Sequence, residues 1–138
     1  TCLATGELLA VKDTPFDFNK RKRIGQDLEA DHIQLKNAFG YDHSFVLNGT
    51  ENQLTLEEPV SGRRLIISTT APVVQVYTGN FLKDGCIGKA GRVYENREGV
   101  ALETQLMLNA INTEENPSTI LRKGDKFESN TKYVFEIM

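Results

Sequence analysis

The chain has 138 residues, which suits one compact domain with its own hydrophobic core. Its 16 basic and 19 acidic residues give a net charge of −3, so no overall field favours nucleic acid or an anionic membrane as a partner. Two cysteines, Cys2 and Cys86, are too few for a disulfide framework, and no apolar run approaches the roughly 18 residues of a membrane span. We therefore expect one domain over residues 1–138, located in the cytoplasm because no signal peptide is recognisable.

Helical periodicity is weak throughout the chain. Residues 26–39 carry only loosely spaced apolar side chains and predict at most a one- or two-turn surface helix. Asn48-Gly49-Thr50 has the form of an N-glycosylation acceptor, but Asn-Gly is also a strong signal for a tight hairpin turn. The turn is the favoured interpretation.

Strand patterns dominate the second half. Residues 65–70 are rich in β-branched side chains, and alternating patterns predict further strands at residues 73–78, 100–105 and 133–137. Turn sequences separate these strands, at residues 58–62, 78–80, 83–85, 116–118 and 123–125. This spacing is typical of an all-β sandwich or barrel.

Two carboxylates in apolar, strand-forming surroundings are the candidates for chemistry. Glu103 shares one face of its strand with Ala101 and Gln105, and burying a lone charge there would be costly without partners. A structural salt bridge or an exposed strand face is as good an interpretation of Glu103 as a catalytic or binding role. Asp42, which lies between Tyr41 and His43, raises the same question.

Other polar signals favour structural interpretations. The basic run at residues 20–23 resembles a nucleic-acid patch but lacks interleaved aromatic residues, so a solvated loop is favoured. Gly88-Lys89 lacks the Gly and the Ser or Thr that a phosphate-binding loop needs around that pair. His32 and His43 are too few and too far apart to predict a metal site. We interpret His43 as a hydrogen-bonded structural histidine.

Five segments in order resemble the aldose 1-epimerase (galactose mutarotase) family, and together they cover nearly the whole chain. They are TPFDF at 14–18, GYDHSFVL at 40–47, SGRRLIISTTAPVVQVYTGNFL at 61–82, ALETQ at 101–105 and STILRKGDKF at 118–127. The resemblance implies a distorted antiparallel β-sandwich, the galactose mutarotase-like supersandwich, of which this chain would be only the C-terminal portion.

The resemblance also implies a function: interconversion of the α and β anomers of free hexoses such as galactose or glucose by general acid/base ring opening. Glu103 resembles the family's catalytic base, Asp42 resembles a residue that hydrogen-bonds sugar hydroxyls, and Gln75 resembles a further sugar contact. The reaction needs no cofactor, because the carbonyl intermediate comes from the substrate itself. The family's acid is a histidine upstream of the TPFDF segment, so a missing N-terminal half would supply it, and neither His32 nor His43 occupies that position.

The chain departs from the family pattern at Leu108-Asn109, where Pro-Asp is usual, and at Pro72-Val73, where Pro-Gly is usual. We expect these changes to alter loops. Other functions stay open: a non-catalytic carbohydrate-binding or regulatory module, a structural β-domain without a ligand, or a relative acting on hexose 6-phosphates. The last would need a cluster of cations, for which Arg63, Arg64 and Arg92 are candidates.

A sandwich reduced to one portion would expose sheet edges and an apolar face. The favoured interpretation is that the chain is part of a longer polypeptide; pairing with a separate N-terminal segment or with a copy of itself is the less favoured alternative. No nucleic acid, membrane or metal partner is expected.

Overall fold

The computed structural model describes residues 4–83, 85, 87–113 and 119–138. Both cysteines and the turn predicted at residues 116–118 lie outside the described residues. The strands are β1 (Asp42–Val46), β2 (Leu54–Glu58), β3 (Arg63–Thr69), β4 (Val73–Tyr77), β5 (Ala101–Gln105) and β6 (Thr131–Ile137), joined by helix α1 (Ile33–Ala38) and by 3-10 turns at Ile24–Gln26 and Ala110–Asn112.

The strands form two three-stranded sheets, in the orders β1-β4-β5 and β2-β3-β6. The prediction of an all-β fold is confirmed, and the four predicted strands are present as β3, β4, β5 and β6, with ends shifted by one or two residues. The predicted short helix is confirmed as α1. This helix ends at Ala38, because the left-handed backbone of the following Phe39 (φ 57°) stops it, and Leu35 is its buried residue.

The hairpin predicted at Asn48-Gly49 is wrong. The strands on either side of it belong to different sheets, because β1 pairs with β4 and β2 pairs with β3. Seven residues separate the two strands, more than a tight turn contains. The tight connection is instead at residues 58–62, between β2 and β3. There the Glu58 carboxylate accepts the N–H groups of Val60 (2.8 Å) and Ser61 (2.7 Å).

Two compact units divide the chain. The first contains the described residues up to Gly6 together with Ser44–Val74 and Glu103–Met138, and the second contains Glu7–His43 and Gln75–Leu102. The boundaries between them fall within β1, β4 and β5.

The first unit is organised by the antiparallel β2-β3-β6 sheet. Ile67 in the central strand is fully buried and lies opposite Leu54 of β2 and Tyr133 of β6. The side chain of Gln53 ties the start of β2 to the end of β3, since it accepts the Thr69 N–H (2.8 Å) and donates to the Thr69 carbonyl (3.0 Å). The register of this sheet is therefore fixed by apolar pairing in its middle and by an amide at its end.

The second unit is built around Tyr41, which is 0% exposed. The TPFDF segment wraps this ring: Phe16 and Phe18 meet it edge to face, with centroids 5.4 and 5.3 Å away. The Tyr41 hydroxyl donates a hydrogen bond to the Pro15 carbonyl (2.7 Å), and burial raises the pKa of this phenol to about 12. A segment without regular structure is thereby fixed against the start of β1.

Polar groups connect Tyr41 to the end of β4. The Thr78 hydroxyl accepts the Tyr41 N–H (3.1 Å), and the Thr78 N–H donates to the Tyr41 carbonyl (3.0 Å). Asn80 accepts from the Thr78 hydroxyl (2.8 Å) and donates to the carbonyls of Ala38 (2.8 Å) and Tyr41 (3.1 Å). Gly40 precedes this cluster at φ 138°, and a Cβ there would collide with the Asn80 side chain, so only glycine fits.

We predict that Tyr41→Phe lowers the free energy of unfolding by about 1 kcal/mol, the usual net value of one hydrogen bond. The loss stays modest because Lys22 also donates to the Pro15 carbonyl (2.7 Å), which keeps that oxygen paired. Tyr133→Phe is the matched control, since Tyr133 is 49% exposed, and it should change stability by less than about 0.5 kcal/mol. Denaturant titration of the two variants measures the difference, and equal losses would contradict the prediction.

His43 provides a prediction on pH. Burial lowers its pKa below the usual value despite the nearby Asp42 carboxylate, so on acidification the unfolded chain takes up a proton before the folded chain does. Stability from this residue is therefore complete above the unfolded pKa of about 6.5 and is lost as the pH falls below it. Unfolding free energies measured between neutral pH and the low fives should decline less steeply for His43→Asn than for the unmodified chain. A slope unchanged by His43→Asn would refute this role.

Candidate functional site

Asp42 and Gln75 lie on the adjacent strands β1 and β4, and their side chains meet. The Gln75 Nε2 donates a hydrogen bond to the Asp42 Oδ1 over 2.7 Å. Asp42 is exposed, and Gln75 is half-buried beneath it. Two of the three residues predicted for the site are thus brought together by strands that are far apart in sequence.

The oxygen of the Gln75 amide has no hydrogen-bond donor among the described residues. Because its Nε2 faces a carboxylate, which only accepts hydrogen bonds, the amide orientation is fixed and the Oε1 points elsewhere. That oxygen is buried and has no hydrogen-bond partner among the described residues. A buried acceptor without a donor typically costs about 1–3 kcal/mol.

A neighbouring side chain fixes the backbone of Asp42. Its N–H donates to His43 Nδ1 (3.0 Å), and the His43 ring packs against Phe16, with centroids 4.7 Å apart. This contact requires a neutral Nδ1, in agreement with the lowered pKa of His43 that burial causes. The predicted hydrogen-bonded structural histidine is confirmed. Its partner is the backbone of the candidate binding residue.

Glu103 lies in the middle of β5, within the first unit, and its side chain is exposed. The neighbouring Thr104 directs its hydroxyl to that of Thr131 on β6 (3.1 Å), so the alternation of the strand sends Glu103 to the opposite face. No ion pair joins Glu103 to any residue that the structure describes. Of the two structural alternatives for Glu103, an exposed strand face fits this geometry and a salt bridge does not.

A shallow pocket in the second unit was not anticipated from the sequence. It has a volume of about 230 Å³ and is lined by Tyr77, Gly79, Leu82, Gly99, Val100 and Ala101. Tyr77 is two residues after Gln75 in β4, so both side chains are on the same face of that strand. The lining is almost entirely apolar, which suits the face of a ring better than hydroxyl groups. The sequence signal for this pocket is the alternation in β4, which places Gln75 and Tyr77 on the same face.

Two of the three cations proposed for a phosphate site already contact carboxylates. Arg64 pairs with Glu57 (2.7 Å) and contacts Glu136 (3.5 Å), and Arg92 contacts both carboxylate oxygens of Glu98 (2.8 and 2.7 Å). Within the described ranges, no group of three or more His, Cys, Asp or Glu side chains could hold a metal ion. The same residues include no helix long and apolar enough to cross a bilayer.

Comparison with known proteins identifies the family to which the chain is similar. The family model described as aldose 1-epimerase matches residues 1–134. Galactose mutarotases from Homo sapiens and Sus scrofa are each 36% identical over 140 residues, which cover 99% of this chain and 40% of those proteins. The aldose 1-epimerase of Escherichia coli strain K12 is 34% identical over 134 residues, covering 93% of this chain and 38% of its own length. The chain therefore spans about two fifths of the curated relatives it matches.

Solved structures give the same result. An aldose epimerase homologue from C. elegans superimposes with a TM-score of 0.84 at 30% identity, covering 98% of this chain and 40% of that one. Galactose 1-epimerase from Lactobacillus acidophilus superimposes with a TM-score of 0.70 at 28% identity, covering 98% of this chain and 39% of its own. The fold predicted from the five sequence segments is confirmed, and the chain belongs to the aldose 1-epimerase family.

Proposed function

We propose that this chain carries the base and part of the sugar-binding surface of an aldose 1-epimerase that acts on free hexoses such as galactose or glucose. Glu103 is the general base, and Asp42 and Gln75 bind sugar hydroxyls. The general acid comes from polypeptide outside these 138 residues, since the chain spans about 40% of its relatives and neither of its histidines resembles the family's acid.

The observation that carries the proposal is the Asp42–Gln75 hydrogen bond of 2.7 Å. The sequence motifs alone point to these two residues, and the fold brings them into contact. The pair presents a carboxylate that can accept further hydrogen bonds and a fixed amide whose buried oxygen has no donor among the described residues. Sugar hydroxyls donate hydrogen bonds, so they complement the exposed Asp42 carboxylate.

The chemistry assigned to Glu103 is a proton transfer. Its carboxylate removes the proton from the anomeric hydroxyl while the acid protonates the ring oxygen, so that the C1–O5 bond breaks and C1 becomes an aldehyde. Rotation about the C1–C2 bond exposes the other face of the carbonyl. The reverse transfers then close the ring as the opposite anomer and restore both groups, so no cofactor is consumed.

A neutral hexose is favoured over a hexose 6-phosphate. Phosphate binding requires cations that are free to pair with it, but two of the three candidates, Arg64 and Arg92, already contact carboxylates. The cytoplasmic location and the hexose substrate belong to this same proposal. They are supported by the cysteine usage and by the family of the chain, respectively.

A second candidate function is a carbohydrate-binding module without catalysis. The observation in its favour is that the sugar-contacting pair is present, whereas the chain covers about 40% of the length of its catalytic relatives. The two functions differ in anomer exchange and share sugar binding, so the two measurements below separate them.

For sugar binding, we predict that Asp42→Asn weakens the affinity for galactose about tenfold or more, because it removes the charge from a hydrogen-bonded acceptor. Galactose titration followed by NMR measures the affinity. Asp31→Asn removes a carboxylate in the same unit that pairs with Lys36, and it should leave binding unchanged. Equal affinity in the unmodified chain and the Asp42→Asn variant would contradict the binding role.

For proton transfer, we predict that the full-length polypeptide, which contains this chain and the general acid, accelerates exchange between α- and β-galactose above the spontaneous rate, and that Glu103→Gln in it removes about 10²-fold or more of that acceleration. NMR exchange spectroscopy measures the rate. Glu136→Gln, which neutralises an exposed carboxylate on another strand, is the matched control. Acceleration that survives Glu103→Gln would refute Glu103 as base. Binding of galactose by the full-length polypeptide without any acceleration would support the non-catalytic module.

A further inference from the structure

His43 follows the proposed sugar-binding residue Asp42, but its side chain projects from the opposite face of β1, since successive side chains of a strand alternate. Its ring packs against Phe16, with centroids 4.7 Å apart and planes at 72°. Phe16 is 9% exposed and belongs to the packed interior of the second unit. A sugar held by the Asp42 and Gln75 side chains would lie on the other face of the strand, away from the His43 ring.

His43 supplies the hydrogen-bond acceptor for the Asp42 N–H. The preceding Tyr41 directs its own N–H and carbonyl to Thr78, just after β4. Because backbone groups alternate in direction along a strand, the Asp42 N–H points away from β4, toward the outer side of β1. No strand lies on that side among the described residues, since β1 is an end strand of the order β1-β4-β5. The His43 Nδ1 accepts this N–H over 3.0 Å.

The Asp42 carboxylate is closely coupled to its own backbone. Only two rotatable bonds separate the carboxylate oxygens from the main chain, so a shift of the backbone moves the carboxylate directly. The Oδ1 in turn accepts the Gln75 Nε2 over 2.7 Å. The backbone hydrogen bond to His43 and the side-chain hydrogen bond from Gln75 together fix the direction of the carboxylate.

We propose that His43 is a positioning residue for sugar recognition: its neutral Nδ1 holds the Asp42 backbone so that the carboxylate meets a sugar hydroxyl, and protonation of the ring releases it. The inference rests on the proposed role of Asp42 in sugar binding. An imidazolium carries a proton on both nitrogens, so it cannot accept the Asp42 N–H. Galactose therefore binds more tightly to the form with neutral His43, and by thermodynamic linkage bound galactose disfavours protonation of the ring.

The surroundings of the ring determine the pH at which it takes up this proton. Burial lowers the pKa of His43, the Asp42 carboxylate raises it, and His32, the residue before α1, lowers it. The segment at residues 14–18 contributes the uncharged Phe16 ring, and its Asp17 carboxylate is engaged within its own loop by two hydrogen bonds (3.0 and 2.9 Å). Strand β4 contains no Asp, Glu, His, Lys or Arg. The pKa of His43 is below the usual value of about 6.5, so sugar affinity is complete at neutral pH and falls as the pH drops through that lowered pKa.

Calorimetric titration of the full-length polypeptide with galactose, between about pH 7.5 and about pH 5, tests the proposal. The unmodified protein should lose affinity about fivefold or more over this range. In His43→Asn, the side-chain oxygen can accept the Asp42 N–H but takes up no proton. This variant should keep the neutral-pH affinity and lose the part of the pH dependence that His43 causes. Every other titrating group, His32 included, is retained in it, so the difference between the two proteins isolates His43.

His43→Leu is the matched variant without an acceptor, since an apolar side chain still packs against Phe16. It should bind galactose about fivefold or more weakly at neutral pH than His43→Asn does. The same pH dependence in the unmodified protein and in His43→Asn would overturn the proposal. Equal neutral-pH affinities of His43→Leu and His43→Asn would overturn it as well.

A measurement without sugar separates this proposal from the proposed function. In NMR spectra of the ligand-free protein, the side-chain N–H resonances of Gln75 report its hydrogen bond to Asp42. They should shift with the same pKa as the His43 ring, and this shift should be absent in His43→Asn. Gln75 resonances that do not follow His43 would overturn the positioning role even where galactose binds. Resonances that follow His43 in a protein that binds no galactose would support the positioning of Asp42 and refute the proposed function.

Discussion

The hydrogen bonds between Tyr41 and Thr78 are the constraint on which the candidate binding pair depends. They fasten the residue just before β1 to the residue just after β4, and both groups are buried, where an unpaired polar group would be costly. Asp42 follows Tyr41 by one position, and Gln75 precedes Thr78 by three. Once the two strands are fixed at this end, the antiparallel pairing brings the carboxylate and the amide within hydrogen-bonding distance.

This arrangement gives the TPFDF and YTGN motifs physical roles. The first supplies Phe16 and Phe18 as packing for the Tyr41 ring and a carbonyl for its hydroxyl. The second supplies Thr78 and Asn80, which satisfy the backbone around the turn from α1 into β1. No hydrogen bond joins either motif to the Asp42 carboxylate among the described residues. Both determine where its backbone lies, and a recognition residue on a surface strand needs such support to be preorganised.

A feature of the fold could be predicted from the sequence when the interaction that determines it acts within one strand, and not when it joins distant segments. Period-2 alternation predicted the strands around Gln75, Glu103 and Tyr133, because a side chain's face is set by its own strand. The hairpin at Asn48-Gly49 was predicted wrongly because local turn chemistry does not report which sheet the next strand joins. That choice is made by distant pairings, such as Leu54 opposite Ile67, which a single sequence does not display. The apolar pocket beside Tyr77 was missed for the same reason, since its walls come from separate segments.

Asp42 and Glu103, the two carboxylates singled out from the sequence, differ in a way that suits the different roles proposed for them. Asp42 already accepts a hydrogen bond from an amide and has its backbone held by His43, so its oxygens have a fixed direction. A fixed acceptor discriminates among hydroxyl positions on a ring. Glu103 is exposed and has no ion pair with a described residue, so nothing described in the chain competes for the proton that a general base must take up. Recognition is therefore proposed for the carboxylate that the fold constrains, and proton transfer for the one that has no ion pair with a described residue.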